Sequence, residues 1–121
     1  MQNLDQLRAA HALVAAKLTD KSSVAKLPGM ILTNGLLATL AFACEEGKST
    51  REKMKNAANA LGKHLAATLP ELAGVSDGAS LGNKLATSEA LTLQRATNEA
   101  LAYLSYLKRF AEKKDKSENN D

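Results

Sequence analysis

A regular apolar seam in the last third of the chain is the feature that most limits its fold. Apolar and small residues recur there at intervals of three and four positions, which is the spacing of one face of an α-helix. The seam consists of Leu93, Thr97, Ala100, Leu104, Leu107 and Ala111, and Leu101, Tyr103 and Phe110 widen it. We therefore predict a long helix over about residues 88–113, with contacts on more than one side.

The amino-acid composition extends this prediction to the whole chain. Apolar residues make up 45% of the 121 positions and are dominated by Ala and Leu, whereas aromatic residues make up only 3%. Unbranched Ala and Leu lose little side-chain entropy in a helix, while strands favour β-branched and aromatic residues. A chain of this length can build one core. We predict an all-α fold, a compact bundle of about four to six helices with a long C-terminal helix, as a single domain over residues 1–113.

The first helical segment covers about residues 3–19 and carries an apolar stripe with 3-4-3-4 spacing. The stripe consists of Leu4, Leu7, His11, Val14 and Leu18. Asn3 is placed to cap the start of the helix, because its side chain can accept from a free backbone N–H. We interpret His11 as a packed or half-exposed residue of this face rather than as a catalytic group.

The middle of the chain predicts two more helices. The pattern allows a short helical turn at 22–27, and Pro28 suits a first helical turn. Residues 30–47 are apolar around the whole circumference, which is typical of a buried helix, and Gly35 permits a bend or a close helix–helix approach. The next helix covers about residues 50–68, with an inward face of Met54, Ala57, Ala58, Leu61 and Leu65. Residues 68–87 then form a long connection with one short helical piece near its end.

The triplet Gly47-Lys48-Ser49 matches the end of a phosphate-binding loop, GxxxxGK[ST]. Such a loop needs a glycine five positions before Gly47, where this chain has Phe42, and it follows a strand rather than an apolar helix. We predict instead that Gly47 adopts a left-handed conformation and ends one helix. Ser49 would then cap the next helix, with Glu52 completing a capping box.

Residues of catalytic type are few and scattered. His11 and His64 lie on different predicted helices, and neither has a ligand or base at helical spacing. The single cysteine, Cys44, follows the most apolar segment, which favours an inert thiol. We predict no catalytic, cofactor or metal site, and an enzyme that uses either histidine is the least favoured hypothesis.

Basic side chains are the candidate contacts to a polyanion, in a chain whose net charge is +3. Lys48, Arg51 and Lys55 fall within about a sixth of a turn of one another on one helix flank. Arg95 and Arg109 share the polar face of the last helix, about 21 Å apart at 1.5 Å rise per residue. An ordinary solvated flank is the open alternative for these positions.

The remaining expectations concern the termini and the cellular context. Residues 114–121 are charged and lack apolar anchors, so we predict a disordered tail. No N-terminal signal pattern and no apolar run of about 20 residues is present, which predicts a soluble, cytoplasmic protein without membrane contact. Tyr103 is predicted to lie in the core, while Tyr106 is open between the rim of the core and stacking on an RNA base.

Two blocks of the sequence resemble a known family. They are PGMILTNGLLATLAF at 28–42 and ATNEALAYLSYLKRFAEK at 96–113. The matching features are the step Asn34-Gly35-Leu36 leading to Phe42, and the run from Glu99 to Ala111. Both blocks resemble the small α-helical subunit of the type III-B CRISPR effector, the Cmr or RAMP-module complex.

The resemblance implies a non-catalytic structural subunit without cofactors that acts in antiviral defence. Several copies would stack beside the backbone and large subunits of the effector and line the channel of the crRNA and its target RNA. The five basic residues above would then be RNA-contact candidates. The alternative hypothesis is a generic helical adaptor that dimerises through its last helix and has no nucleic-acid role.

Overall fold

A computed structural model describes residues 2–47 and 49–112 and confirms the predicted all-α bundle. It contains six α-helices and no strand within these two ranges. The helices are α1 Leu4–Ala15, α2 Lys21–Asn34, α3 Leu36–Ala43, α4 Glu52–Thr68, α5 Gly78–Ala86 and α6 Ala90–Phe110. Single 3-10 turns occur at Ala16–Leu18, Ser49–Arg51 and Pro70–Leu72. The predicted tail, residues 114–121, lies outside the described residues.

The C-terminal helix α6 forms the centre of the bundle. It packs against α1, α2 and α4, while α5 lies across α4 and α3. The C-terminal part of its predicted seam is confirmed, because Ala100, Leu104 and Leu107 are fully buried. Tyr103 is also fully buried, at the edge of the same face, three residues after Ala100 and four before Leu107. Contacts of this one broad face with α1, α2 and α4 account for the widened apolar pattern of this segment.

Helix α1 packs through its alanines rather than through its predicted stripe. Asn3 caps the helix as expected, in a reciprocal capping box with Gln6. The residues that α1 and the following turn bury are Ala12, Ala15 and Ala16. Val14 and Leu18 are 75% and 55% exposed. Small side chains let α1 approach α6 closely, so most of the stripe faces outward.

The single helix predicted over residues 30–47 is two helices in the structure, α2 and α3, which meet at Gly35 with φ 91°, the position where a bend was expected. The predicted start was also wrong. Helix α2 begins at Lys21, capped by the Asp20 side chain, and contains Pro28 in its interior. Proline removes one backbone donor, but the helix buries three apolar residues around it, Val24, Leu27 and Ile31. The predicted burial around the whole circumference was also wrong, since Leu32 is 75% exposed.

The junction between α3 and α4 confirms one part of the prediction and corrects another. Gly47 has the expected left-handed conformation, with φ 77°, but it does not end the helix, because α3 ends at Ala43 with Cys44 as its C-cap. The predicted capping box of Ser49 and Glu52 does not form, because Ser49 begins a 3-10 turn and α4 starts at Glu52 without a side-chain cap. The guanidinium of Arg51 holds the junction instead. It donates to the Phe42 carbonyl at 2.9 Å and lies 3.8 Å from the centre of the Phe42 ring.

Candidate functional site

The five predicted RNA-contact residues occupy different environments. Lys48 lies outside the described residues. Arg51 is engaged by Phe42 and by an ion pair with Glu45 at 2.8 Å. Lys55 is partly exposed, with a looser contact of 3.7 Å to Glu46. These contacts leave Lys55 as the more available cation of the α4 flank.

The two arginines of α6 also differ from each other. Arg95 forms a two-bond ion pair with Glu71, whose shorter N···O distance is 2.8 Å. Arg109 is exposed and has no ion-pair partner among the described residues. Tyr106, on the same helix, is half-buried and donates its hydroxyl hydrogen bond to Asp5 of α1.

A polar network that the sequence analysis missed lies between α1, α4 and α6. Arg8 of α1 donates two hydrogen bonds to Glu99 of α6, from Nε at 2.8 Å and from the terminal nitrogen at 2.7 Å. His64 Nε2 of α4 lies 2.8 Å from Glu99 Oε2, and His11 Nδ1 of α1 lies 2.7 Å from His64 Nδ1. The two histidines have no partner at helical spacing, as predicted, but they bond to each other and to Glu99 across three helices.

Burial and the contacts within the network favour a neutral His64 beside an ionised Glu99. Burial lowers the pKa of His64, and the neighbouring His11 and Arg8 add to this against the opposing effect of Glu99. Burial alone would raise the pKa of Glu99, but the hydrogen bonds and charges of Arg8 and His64 outweigh it and hold that pKa below its ordinary value. A neutral His64 donates from Nε2 to the Glu99 anion. Its Nδ1 then accepts from the Nδ1–H of His11.

The network holds helices together and has little free capacity for chemistry. Both ring nitrogens of His64 and both oxygens of Glu99 are used internally, which leaves Nε2 of His11 as the ring nitrogen without a bond in the network. No cluster of three or more metal-ligating side chains occurs within the described ranges. The arrangement ties α1 to α4 and α6.

Tyr103 packs against this network and borders a surface cleft. Its ring stacks on His64 with centroids 4.3 Å apart, and its hydroxyl is buried without a hydrogen-bond partner among the described residues. The cleft, about 330 Å³ in volume, lies between α1 and α4. Val14, Leu18 and Lys63 line it, together with His64 and Tyr103. We call it the α1–α4 cleft.

The fold and the network define a small helical domain whose buried polar groups join helices. Comparison with known proteins then gives the family. The chain belongs to the CRISPR-associated Cmr5 family (Cas_Cmr5), whose model matches residues 4–114. It is thus a Cmr5-type small subunit of the type III-B CRISPR effector complex, which confirms the resemblance of the two sequence blocks and implies association with other Cmr subunits.

A solved structure supports the same assignment. The crystal structure of a CRISPR-associated Cmr5 family protein from Thermus thermophilus is 25% identical in sequence and has a TM-score of 0.71. The match covers 90% of this chain and 95% of that chain. No curated protein matches the chain in sequence. Within the described residues, no helix is both long and apolar enough to span a bilayer.

Proposed function

We propose that this subunit is non-catalytic and that several copies of it stack beside the channel of crRNA and target RNA. The observation that carries the proposal is the family match, which extends over residues 4–114. The polar side chains that come nearest to a catalytic cluster support the non-catalytic part of the proposal. Arg8, His11, His64 and Glu99 hydrogen-bond to one another within the network. Catalysis would need a group free to reach substrate.

His11 provides the direct test of the non-catalytic role. It is the partly exposed member of the histidine pair, so a reaction that used the pair would proceed through its free ring nitrogen. We expect His11→Gln in the reconstituted effector complex to leave the rate of target-RNA cleavage unchanged. A loss of about tenfold or more in a complex of normal composition, about 1.4 kcal/mol in the barrier, would show a catalytic contribution.

RNA contact is the second part of the proposal. Lys55 and Arg109 are the candidates with the weakest internal contacts, while Arg51 and Arg95 are held by Glu45 and Glu71. Cations that neutralise phosphates bind RNA without reading its sequence. Stacked copies would repeat such contacts along the strand and raise the effective concentration for each additional contact.

The experiment compares two double variants in the reconstituted complex. Lys55→Gln with Arg109→Gln removes the candidate contacts, and Lys26→Gln with Lys84→Gln removes the same charge from other exposed positions. We expect the first variant to bind target RNA more weakly, with a salt slope smaller by about 0.7 for each lost phosphate contact. Equal affinity and slope for both variants would identify the candidates as a solvated flank and favour the adaptor without a nucleic-acid role.

Stacking has a separate test in the stoichiometry of the complex. Native mass spectrometry of the reconstituted effector should give more than one copy of this chain in each particle. One copy per particle, in a complex that is otherwise complete, would remove the stacking from the proposal and leave the family assignment intact.

A further inference from the structure

Apolar side chains are exposed at the C-terminal end of α1 and in the 3-10 turn that follows it. Leu13 and Leu18 are each 55% exposed and Val14 is 75% exposed. Val14, near the end of α1, and Leu18, in the 3-10 turn that follows, both line the α1–α4 cleft. Contiguous exposed apolar surface of this kind marks interaction sites. We call Val14, Leu18 and the α1–α4 cleft the α1 surface.

Among the described residues, the polar side chains that line the α1–α4 cleft are His11, Asn56, Asn59, Lys63, His64 and Tyr103. Lys63 lines the cleft with an ammonium group, and no acidic side chain lines it among the described residues. Tyr103 borders the same cleft with a hydroxyl that is buried and has no partner in the described structure. An occupant that places a carboxylate in the cleft would pair with the exposed Lys63 ammonium group.

We propose that the α1 surface binds an amphipathic helix of another protein subunit of the effector complex, with acidic residues flanking its apolar seam. The apolar seam would lie on Val14 and Leu18, and an acidic side chain would enter the cleft beside Lys63. The stripe has the 3-4 spacing on which a second helix packs. This inference rests on the family assignment and is independent of the proposed RNA contacts.

Three alternative occupants fit the surface less well. A small molecule would fill the cleft but leave Val14 and Leu18 uncovered, because the apolar surface extends beyond the cleft. RNA would match Lys63 but offers no apolar seam for the stripe. A second copy of this chain carries a net charge of +3, so it offers the Lys63 ammonium group less electrostatic attraction than an acidic helix does.

The first experiment removes the apolar part of the surface. Val14→Ser with Leu18→Ser should weaken incorporation of the subunit into the reconstituted complex by about tenfold or more, because two buried apolar contacts are lost. Leu32→Ser with Leu91→Ser is the matched control, since these side chains are 75% and 61% exposed on α2 and α6. Circular dichroism and thermal unfolding verify that both variants are folded. Equal incorporation of the two variants would overturn the proposal.

The second experiment tests the predicted charge of the partner. Lys63→Glu should weaken incorporation about fivefold or more by placing like charges together, whereas Lys84→Glu, an exposed reversal on α5, should not. Unchanged incorporation of Lys63→Glu would contradict the acidic character of the partner helix.

A crosslinking experiment identifies the occupant. A photoreactive benzoylphenylalanine at Val14 in the assembled complex should label a helix of another subunit that carries Asp or Glu beside apolar residues. A crosslink to RNA, a crosslink to a second copy of this chain, or no crosslink in a fully assembled complex would each overturn the proposal.

Discussion

The ion pair of Arg8 and Glu99 gives the sharpest test of how this fold is held together. Glu99→Gln preserves the shape of the side chain and removes its charge, which leaves the Arg8 guanidinium and the His64 N–H without an anionic acceptor. Glu99 is 7% exposed, so it is largely removed from water. We expect the variant to fold with lower stability and with α1 less firmly held.

The magnitude follows from burial. Removing one partner of a fully buried ion pair costs about 3–5 kcal/mol. The Arg8 side chain is 23% exposed and keeps part of its hydration, so we expect a loss of about 2–3 kcal/mol in the free energy of unfolding. For a domain of this size, that loss corresponds to a decrease of roughly 8–12 °C in Tm.

Glu71→Gln is the matched control. Glu71 also forms a two-bond pair with an arginine, Arg95, but the two side chains are 32% and 46% exposed. Exposed pairs contribute about 0–1 kcal/mol, so the control should stay within about 1 kcal/mol of wild type. Urea unfolding followed by far-UV circular dichroism at neutral pH measures both variants. If the two losses agree within about 0.5 kcal/mol, the buried network does not stabilise the fold beyond an ordinary surface pair.

Three further predictions concern the same core. Acid should destabilise the protein, because the pKa values of His64 and Glu99 in the folded state lie below their ordinary values of 6.5 and 4.5. The stability they contribute is full above those ordinary values and falls as the pH drops below 6.5 and again below 4.5. Urea midpoints that stay flat from pH 8 to pH 4 would contradict this. Tyr103→Phe removes a buried hydroxyl without a partner in the described structure and should raise the free energy of unfolding by about 1 kcal/mol, whereas a loss of stability would reveal an acceptor for that hydroxyl. Gly62→Ala should destabilise the fold by about 1–3 kcal/mol, because the added Cβ would overlap the Asp77 carbonyl. Gly29→Ala, with open space around its Cβ, should be neutral or stabilising by up to about 1 kcal/mol. Thermal unfolding that ranks the two variants in the opposite order would refute the packing argument.

The strongest sequence patterns predicted the structure best. The last helix was expected over about residues 88–113 and is found at Ala90–Phe110, because its seam stays in register over five turns. The inward face of α4 was predicted correctly for the same reason, and all five of its residues are buried: Met54, Ala57, Ala58, Leu61 and Leu65. Both helices have one core-facing side, which is the case that hydrophobic periodicity describes well.

The errors occurred where tertiary contacts outweigh local preference. Pro28 suggested the start of a helix, because a proline in a helix interior costs roughly 3 kcal/mol. The structure offsets this cost by burying apolar residues on both sides of Pro28 and by capping α2 at Asp20. No pattern within the segment reveals those distant contacts.

The polar network was missed because its four members come from three helices, while helical spacing reports only neighbours on one helix. One local signal was available. Glu99 directly precedes Ala100 and lies four residues before Tyr103, so it belongs to the buried side of α6. A charged residue in that position requires an opposite charge from another element. The sequence alone does not say that Arg8 supplies it.

Helix α1 connects the stability of the fold with the proposed docking surface. Its core contact is made by small alanines, which bury little area, and the bonds from Arg8 and His11 to the other helices supply additional attachment. Its larger apolar side chains, Val14 and Leu18, remain outside. In an isolated domain, an α1 that buries alanines and exposes larger side chains leaves apolar area in water without any gain in stability. In a subunit of a multi-protein complex the same area becomes buried on assembly, and a helix anchored through polar bonds presents it in a fixed orientation.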